Sequence, residues 1–240
     1  MNDIKKLFLL SLQKTIRSKM QQNLIFSIEG NIGAGKSTIL KHLHNISKNI
    51  VILPEPVDMW LNLKVPDNEK SLFEMFYQDN KKYGFMFQMY ALQTRYEMLL
   101  KTIKENPGKI IICERCMTTD NKIFADIMFK DGIITGFEYE IYKNLYGLLQ
   151  NAAPPLTGII YLKTSNVVCA NRIITRDRSG ENSISIEYIK KLNNKHDEWI
   201  LSEEMSYPVL TLDGDEYNSE NIIKKKIKQI EDFLKNFTPI

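Results

Sequence analysis

The feature that most constrains this chain is the octapeptide Gly30-Asn31-Ile32-Gly33-Ala34-Gly35-Lys36-Ser37, which satisfies the pattern G-x-x-x-x-G-K-[ST]. It directly follows the short apolar run 24–28 and leads into a helical pattern beginning near Lys36. A strand, a glycine loop and a helix in that order make a phosphate cradle. The glycines let consecutive backbone N–H groups curl around phosphate oxygens without a Cβ in the way, and the helix N-terminus adds its positive end. Lys36 is expected to reach the β and γ phosphates and the Ser37 hydroxyl to ligate Mg²⁺, with Gly30, Asn31, Gly33, Ala34, Gly35 and Thr38 completing the site. A nucleoside triphosphate ligand follows. The pattern alone does not choose between a hydrolase, a switch protein and a kinase.

Apolar runs rich in Ile, Val and Leu recur at 24–28, 50–53, 109–113, 158–162 and 208–212, as strands buried on both faces should. Helical patterns fill the gaps at 36–47, 84–105, 137–150, 166–176, 185–204 and 220–236. This alternation predicts a doubly wound, five-stranded parallel α/β sheet of the phosphate-loop NTPase type, flanked by helices and carrying a lid. The 240 residues, with 43% apolar and 25% charged side chains, suit one domain with a real core, taken as 23–240. A net charge of 32 − 29 = +3 is too small for a broad duplex-binding face, so no nucleic-acid partner is expected. No apolar run approaches the ~20 residues that cross a bilayer, and no membrane partner is expected. Three cysteines, Cys113, Cys116 and Cys169, cannot pair evenly and point to a reducing compartment. A cytoplasmic location is expected (host cytoplasm if the source is viral). Residues 1–22 form an N-terminal extension with five basic residues and one acid. It reads as a loosely docked arm, with a mitochondrial-type presequence as the minor alternative.

Ligands of open α/β sheets sit beyond the carboxyl ends of the strands. The second strand ends in Pro54-Glu55-Pro56-Val57-Asp58-Met59-Trp60, so Glu55 falls there, able to accept a proton from an attacking hydroxyl. The third strand ends in Glu114-Arg115. Glu114 is placed to hold Mg²⁺ directly or through water, and Arg115 to neutralise charge or orient the acceptor hydroxyl. Farther on, Arg172, Arg176 and Arg178 close a helix before a Ser-Gly-Asn-rich hinge, as a lid over transferring phosphates would require. Phe87, Gln88, Ala91 and Arg95 follow one stripe of the helix from about Gly84, and a glutamine and an arginine on such a stripe need partners that a ligand base can supply.

These pieces together resemble the deoxynucleoside kinase family: GNIGAGKST, PEPVDMW, FMFQMYALQTR, CERCMTTDNKIFA, IIYLKTS, RIITRDRSGENSISIEYIKKLNNKHDEWI and LTLD, in the family's order over most of 24–213. The resemblance implies Glu55 as general base for a deoxynucleoside 5′-hydroxyl, with Arg115 beside it and Lys36 on the donor. It implies Trp60, Phe87 and Phe124 as aromatic walls of the nucleoside pocket and Gln88 as reader of the base edge. Tyr77 and Glu181 fall where the family binds the sugar 3′-hydroxyl. Arg172, Arg176 and Arg178 match the lid arginines, and Asp215-Glu216-Tyr217 lies near the loop for the donor base. Arg95 and Asp120 match the pair that accompanies preference for deoxycytidine and purines. The implied reaction moves the γ-phosphate of ATP, or another triphosphate, to a deoxynucleoside in nucleotide salvage. A homodimer is also implied, and the stripe Ile141, Tyr142, Leu145, Leu148 and Leu149 is broad enough to serve it.

Cys116 departs from the family's serine, and Met117-Thr118-Thr119 from its more aromatic run. Cys113 and Cys116 have C-x-x-C spacing without a second pair, so zinc or redox use is not expected. His196, in a helical run, reads as structural. Two other functions stand beside the kinase: a nucleoside monophosphate kinase, which needs a basic acceptor pocket where this chain has Glu55, and a catalytically silent structural relative, although Lys36, Ser37, Glu55, Glu114 and Arg115 are all present.

Overall fold

A computed structural model describes residues 23–44, 47–65, 67, 69–178, 184–216 and 219–237. The extension 1–22, Glu181 and Tyr217 lie outside the described residues. Five strands, β1 (Leu24–Glu29), β2 (Ile50–Leu53), β3 (Ile110–Glu114), β4 (Gly158–Lys163) and β5 (Val209–Asp213), pair in the order β2-β3-β1-β4-β5. Every pairing is parallel; Phe26 of β1 stands opposite Ile112 of β3 on one side and Gly158 of β4 on the other. Each strand lies within a residue of its apolar run. The chain leaves β1 toward β3 and β2 on one side and reaches β4 and β5 on the other, so the carboxyl end of β1 is a topological switch point, where open sheets bind ligands.

The helices are α1 (Lys36–His44), α2 (Val57–Asn62), α3 (Leu72–Gln78), α4 (Asn80–Glu105), α5 (117–130), α6 (Gly136–Ala152), α7 (Asn166–Arg176), α8 (Ile186–Ile200) and α9 (Glu220–Lys235). The middle of α5, Asp120–Ala125, is wound as a π-helix. The two short helices α2 and α3 have no counterpart among the helical patterns of the sequence, because one or two turns carry too little periodicity to register; α5, π-wound in its middle, has none either. Local chemistry still explains α3: Ser71 accepts from Glu74 N at 3.2 Å while Glu74 takes the Ser71 N–H at 2.9 Å, a reciprocal cap. Asp79 likewise starts α4 by accepting from Lys82 N.

Strand alternation divides the core. Phe26 and Ile28 of β1 pack with Ile39, Leu40 and Leu43 of α1 and Ile223, Ile227 and Ile230 of α9. Ile25 faces the other way, with Leu53, Ile111, Cys113 and Leu99 and Ile103 of α4. A third cluster, Trp60, Phe73, Phe76, Phe87 and Ala91, joins α2, α3 and α4 beyond the strand ends. Sheet and helices thus hold the loop after β1 rigidly while leaving an aromatic wall facing it.

Candidate active site

The loop after β1 is shaped by close backbone approach. Gly30 has φ +144° and a Cβ there would lie 2.6 Å from Leu162 O; Gly33 has φ +76° and its Cβ would meet Cys169 O at 2.5 Å. Only glycine fits either position. Asn31 turns away from the loop's mouth, donating to Ile189 O of α8 at 2.8 Å and accepting from Ile32 N, so it braces the loop. Lys36 opens α1 and rests its ammonium on Gly30 O at 3.1 Å and Asn31 O at 2.9 Å. Burial lowers its pKa to about 8, reinforced by Arg115 and opposed by Glu114, Glu55 and Glu29. The Ser37 hydroxyl stands 3.0 Å from both oxygens of Glu114, which ends β3. A hydroxyl and a carboxylate facing each other are the hard oxygen donors that suit Mg²⁺, which takes few protein ligands and fills its shell with water and phosphate.

Beyond the ends of β2 and β3 four charged side chains meet. Arg115 Nη1 donates to Glu55 at 3.0 and 3.2 Å, and Arg95 Nη2 donates to Glu55 at 3.2 Å. Burial alone would raise the Glu55 pKa, but Arg115, Arg95 and Lys36 outweigh it and hold the carboxyl at about 2. Arg95 also grips Asp120 through Nε at 2.8 Å and Nη2 at 3.3 Å, and gives Nη1 to Glu114 O at 2.8 Å. Burial raises the Asp120 pKa against the pull of Arg95. Arg115 adopts φ +64°, a left-handed conformation that costs a non-glycine residue on the order of 1–3 kcal/mol. Its backbone N–H bonds Ile28 O at 3.1 Å and its Nη2 bonds Gly30 O at 3.2 Å, so the strained turn is pinned to β1.

A cleft of about 810 Å³ runs from the loop to the aromatic wall. Gly33, Gly35, Lys36, Ser37, Thr38, Glu55, Trp60, Tyr77, Phe87, Gln88, Arg95, Glu114, Arg115, Asp120, Phe124, Arg172, Arg176 and Arg178 all line it. Trp60 packs edge-on to Phe87 at 5.2 Å and ties its indole N–H to Thr94 at 3.0 Å. Gln88 is 3% exposed and its Oε1 has no hydrogen-bond partner, so a buried acceptor faces the cleft. Arg115 Nε is a buried donor likewise without a partner. Arg172 donates to Ala34 O of the loop at 3.0 Å, anchoring the start of the expected lid.

Some expected residues are elsewhere. Gly30, Asn31 and Ala34 support the loop from behind. Asp215 accepts from Ser165 N at 2.7 Å and Glu216 pairs with Lys225 at 3.3 Å; neither lines the cleft. Cys116 points to the other side, with Sγ 3.4 Å from Thr119 Oγ1, and it and Cys113 line a small separate cavity. Burial pushes both thiols up to about 12, leaving them protonated. His196 is buried in the core, its Nδ1 on Leu192 O at 2.7 Å, and burial lowers its pKa to about 3. Residues missed from sequence are Phe73, Phe76 and Tyr188 in the cleft wall and the buried Glu29 behind it. The aromatic run of 73–77 was the available signal for the first two.

The family model for deoxynucleoside kinase matches residues 26–235. The chain is 32% identical over 236 residues to deoxycytidine kinase 1 of Xenopus laevis, covering 87% of this chain and 89% of that one. It is 31% identical over 252 residues to deoxycytidine kinase 2 of Gallus gallus, covering 93% and 92%. Against the mitochondrial deoxyguanosine kinase of Xenopus laevis, identity is 26% over 234 residues, covering 85% and 88%.

Proposed function

The chain belongs to the deoxynucleoside kinase family and is a deoxynucleoside kinase of nucleotide salvage, and from that premise we propose how it works and what it prefers. The acceptor is deoxycytidine or a purine deoxynucleoside, and the donor is ATP or another nucleoside triphosphate. Glu55 takes the proton of the 5′-hydroxyl, and Arg115, through its orphan Nε, orients that hydroxyl. Lys36 and the arginines Arg172, Arg176 and Arg178 stabilise charge spreading over the transferring phosphoryl. Ser37 and Glu114 would hold Mg²⁺, which would supply charge neutralisation to the donor phosphates. Trp60, Phe87 and Phe124 enclose the base, and Tyr77 takes the sugar. Glu181 for the 3′-hydroxyl and Tyr217 for the donor base rest on the resemblance alone.

One observation carries the substrate choice: Gln88 Oε1, Asp120 and Arg95 line one cleft with Glu55. Cytosine and adenine carry an exocyclic amine that Asp120 and Gln88 accept, whereas thymine turns a carbonyl oxygen to the same place and repels; guanine also carries a carbonyl there, and its place among the acceptors rests on the resemblance. Arg95 keeps Asp120 in place for that reading. A monophosphate acceptor is disfavoured, because Arg95 and Arg115 are both already tied to acids. The test is a coupled assay with ATP, Mg²⁺ and each deoxynucleoside and monophosphate. Deoxycytidine, deoxyadenosine or deoxyguanosine should exceed thymidine in kcat/KM; thymidine leading, or a monophosphate accepted in preference, would overturn the reading.

We further propose a cytoplasmic homodimer through α6: of the expected stripe, Ile141 and Leu148 are 53% and 67% exposed beside Phe137 at 87%, whereas Tyr142 is buried in the core with Leu145 and Leu149 packed against it. Among the described residues no helix is long and apolar enough to cross a membrane.

A further inference from the structure

Glu55 and Asp120 are acids with separate tasks, and one guanidinium holds both. Arg95, 5% exposed, places Nε 2.8 Å from Asp120 Oδ2 and Nη2 between Asp120 Oδ1 at 3.3 Å and Glu55 Oε1 at 3.2 Å. Its third nitrogen is fixed on the Glu114 carbonyl at 2.8 Å. A planar, rigid fork held at three corners cannot move toward one acid without moving relative to the other. We propose that Arg95 is a positioning residue for phosphoryl transfer itself, joining the acid that reads the nucleobase to the acid that receives the 5′-proton. This rests on the functional reading above and deepens it, since there Arg95 serves base choice alone.

The link has an electrostatic consequence. Glu55 faces Arg115 from the end of β3, Arg95 from α4 and Lys36 from the loop, with Asp120 of α5 on the far side of Arg95. Glu114 and Glu29 face Lys36 and Arg115 rather than Glu55. Of the cations on Glu55, Arg95 and Arg115 are within hydrogen-bond distance. An opposite charge that close lowers a carboxyl pKa by about 1–3 units, so removing Arg95 should raise that of Glu55 by a comparable amount. Glu55 must be ionised to accept a proton. A raised pKa therefore removes activity at a higher pH as the solution is acidified.

Removing Arg95 alone would strand the buried Asp120, so the informative comparison is D120A against R95M/D120A. In both, the base-reading acid is gone and Arg95 has no base left to select. The measurement is kcat against pH from about 3 to 8, with deoxycytidine and with thymidine, beside the ¹³C carboxyl midpoint of Glu55. D120A should stay flat down to about pH 3. R95M/D120A should gain an acid limb displaced upward by about 1–3 units, of equal size for both nucleosides, and R95K/D120A should restore the D120A profile. Superimposable profiles, or a limb seen with one nucleoside only, would overturn the link; so would a limb that persists in R95K/D120A. If R95M/D120A melts below the assay temperature, D120N and the near-isosteric R95Q/D120N take its place under the same criteria. Should the wild-type enzyme phosphorylate no deoxynucleoside, the functional reading fails on its own. A ¹³C carboxyl titration of Glu55, identified by its loss in E55Q, would then still accept or reject the link by whether R95M/D120A raises the midpoint.

Discussion

Toward the aromatic wall of the cleft, Glu55, Arg95, Arg115 and Asp120 bond one another at 2.8–3.3 Å, whereas at the phosphate loop Lys36 and Arg172 rest on neutral backbone carbonyls at 2.9–3.1 Å. The first region is charged but internally neutralised and buried. In the second, Lys36 meets carbonyls at 2.9–3.1 Å while the Glu114 carboxylate stands 4.0 Å away, so its positive charge is satisfied only in part. Buried paired charges are costly to separate and repel a mismatched group strongly, which suits discrimination among neutral nucleosides. Incompletely compensated cations favour any polyphosphate, which suits a donor recognised mainly by its phosphates. The same cleft is thus selective at one end and permissive at the other.

The sharpest way to break this contrast is at Glu55. E55Q keeps the shape and removes the proton acceptor, so kcat should fall about 10²–10⁴-fold while nucleotide affinity, followed by equilibrium titration, stays nearly unchanged. More than about a third of wild-type turnover in E55Q would exclude Glu55 as the base. Next comes base choice. A charged hydrogen bond is worth about 1.5–3 kcal/mol, so R95M/D120A should narrow or reverse a preference over thymidine of roughly 10- to 150-fold, read as the ratio of kcat/KM values.

The phosphate end is tested by pH. Lys36 has its pKa lowered to about 8, and only the protonated ammonium attracts phosphate. Affinity for the triphosphate should therefore be full below pH 8 and decline as pH rises through it, with KM for ATP several-fold higher at pH 9 than at pH 7. K36R, whose guanidinium keeps its proton, should lose that dependence; an unchanged KM in the wild type between pH 7 and 9 would count against Lys36 as the titrating contact. The smallest expected catalytic effect lies at α6. I141D/L148D should shift the mass by light scattering from about twice 28.0 kDa toward 28.0 kDa, with modest loss of turnover felt more in nucleoside KM than in ATP KM. The reason for that asymmetry is that α6 packs on α4, which carries Gln88 and Arg95. A wild-type mass already near 28.0 kDa would remove the dimer from the account.

Much of this was legible in the chain itself. The five strands are short apolar runs, and period and length alone locate them. The glycine loop is a local motif whose spacing is its geometry, so Gly33, Lys36 and Ser37 could be placed without a fold. Glu55, Glu114 and Arg115 followed from one added rule, that residues just past parallel strands face the ligand. The helices α2 and α3 were not legible, being too short for periodicity, and with them went Phe73 and Phe76. Asn31 belongs to the motif, yet its side chain turns to Ile189, 158 residues away. Asp215 and Glu216, set by the resemblance near the donor-base loop, follow β5 and spend their carboxylates on Ser165 and Lys225.

What the sequence by itself determined is everything set by spacing of a few residues: the strand and helix succession, the phosphate loop, and which acids and bases stand at strand ends. What only the tertiary structure decided is how those groups meet in space: the resemblance named Arg95 and Asp120 together, but not the bond from Arg95 to Glu55. Arg95 and Asp120 are 25 positions apart and Arg95 and Glu55 are 40, on three different elements, and no local periodicity encodes a contact across them. The sheet order β2-β3-β1-β4-β5 brings the ends of β2 and β3 side by side, the π-helical turn of α5 places Asp120 opposite α4, and burial then forces each charge to find the nearest opposite one. Charge pairing is a property of distance in a medium of low dielectric, and that distance exists only once the chain has folded.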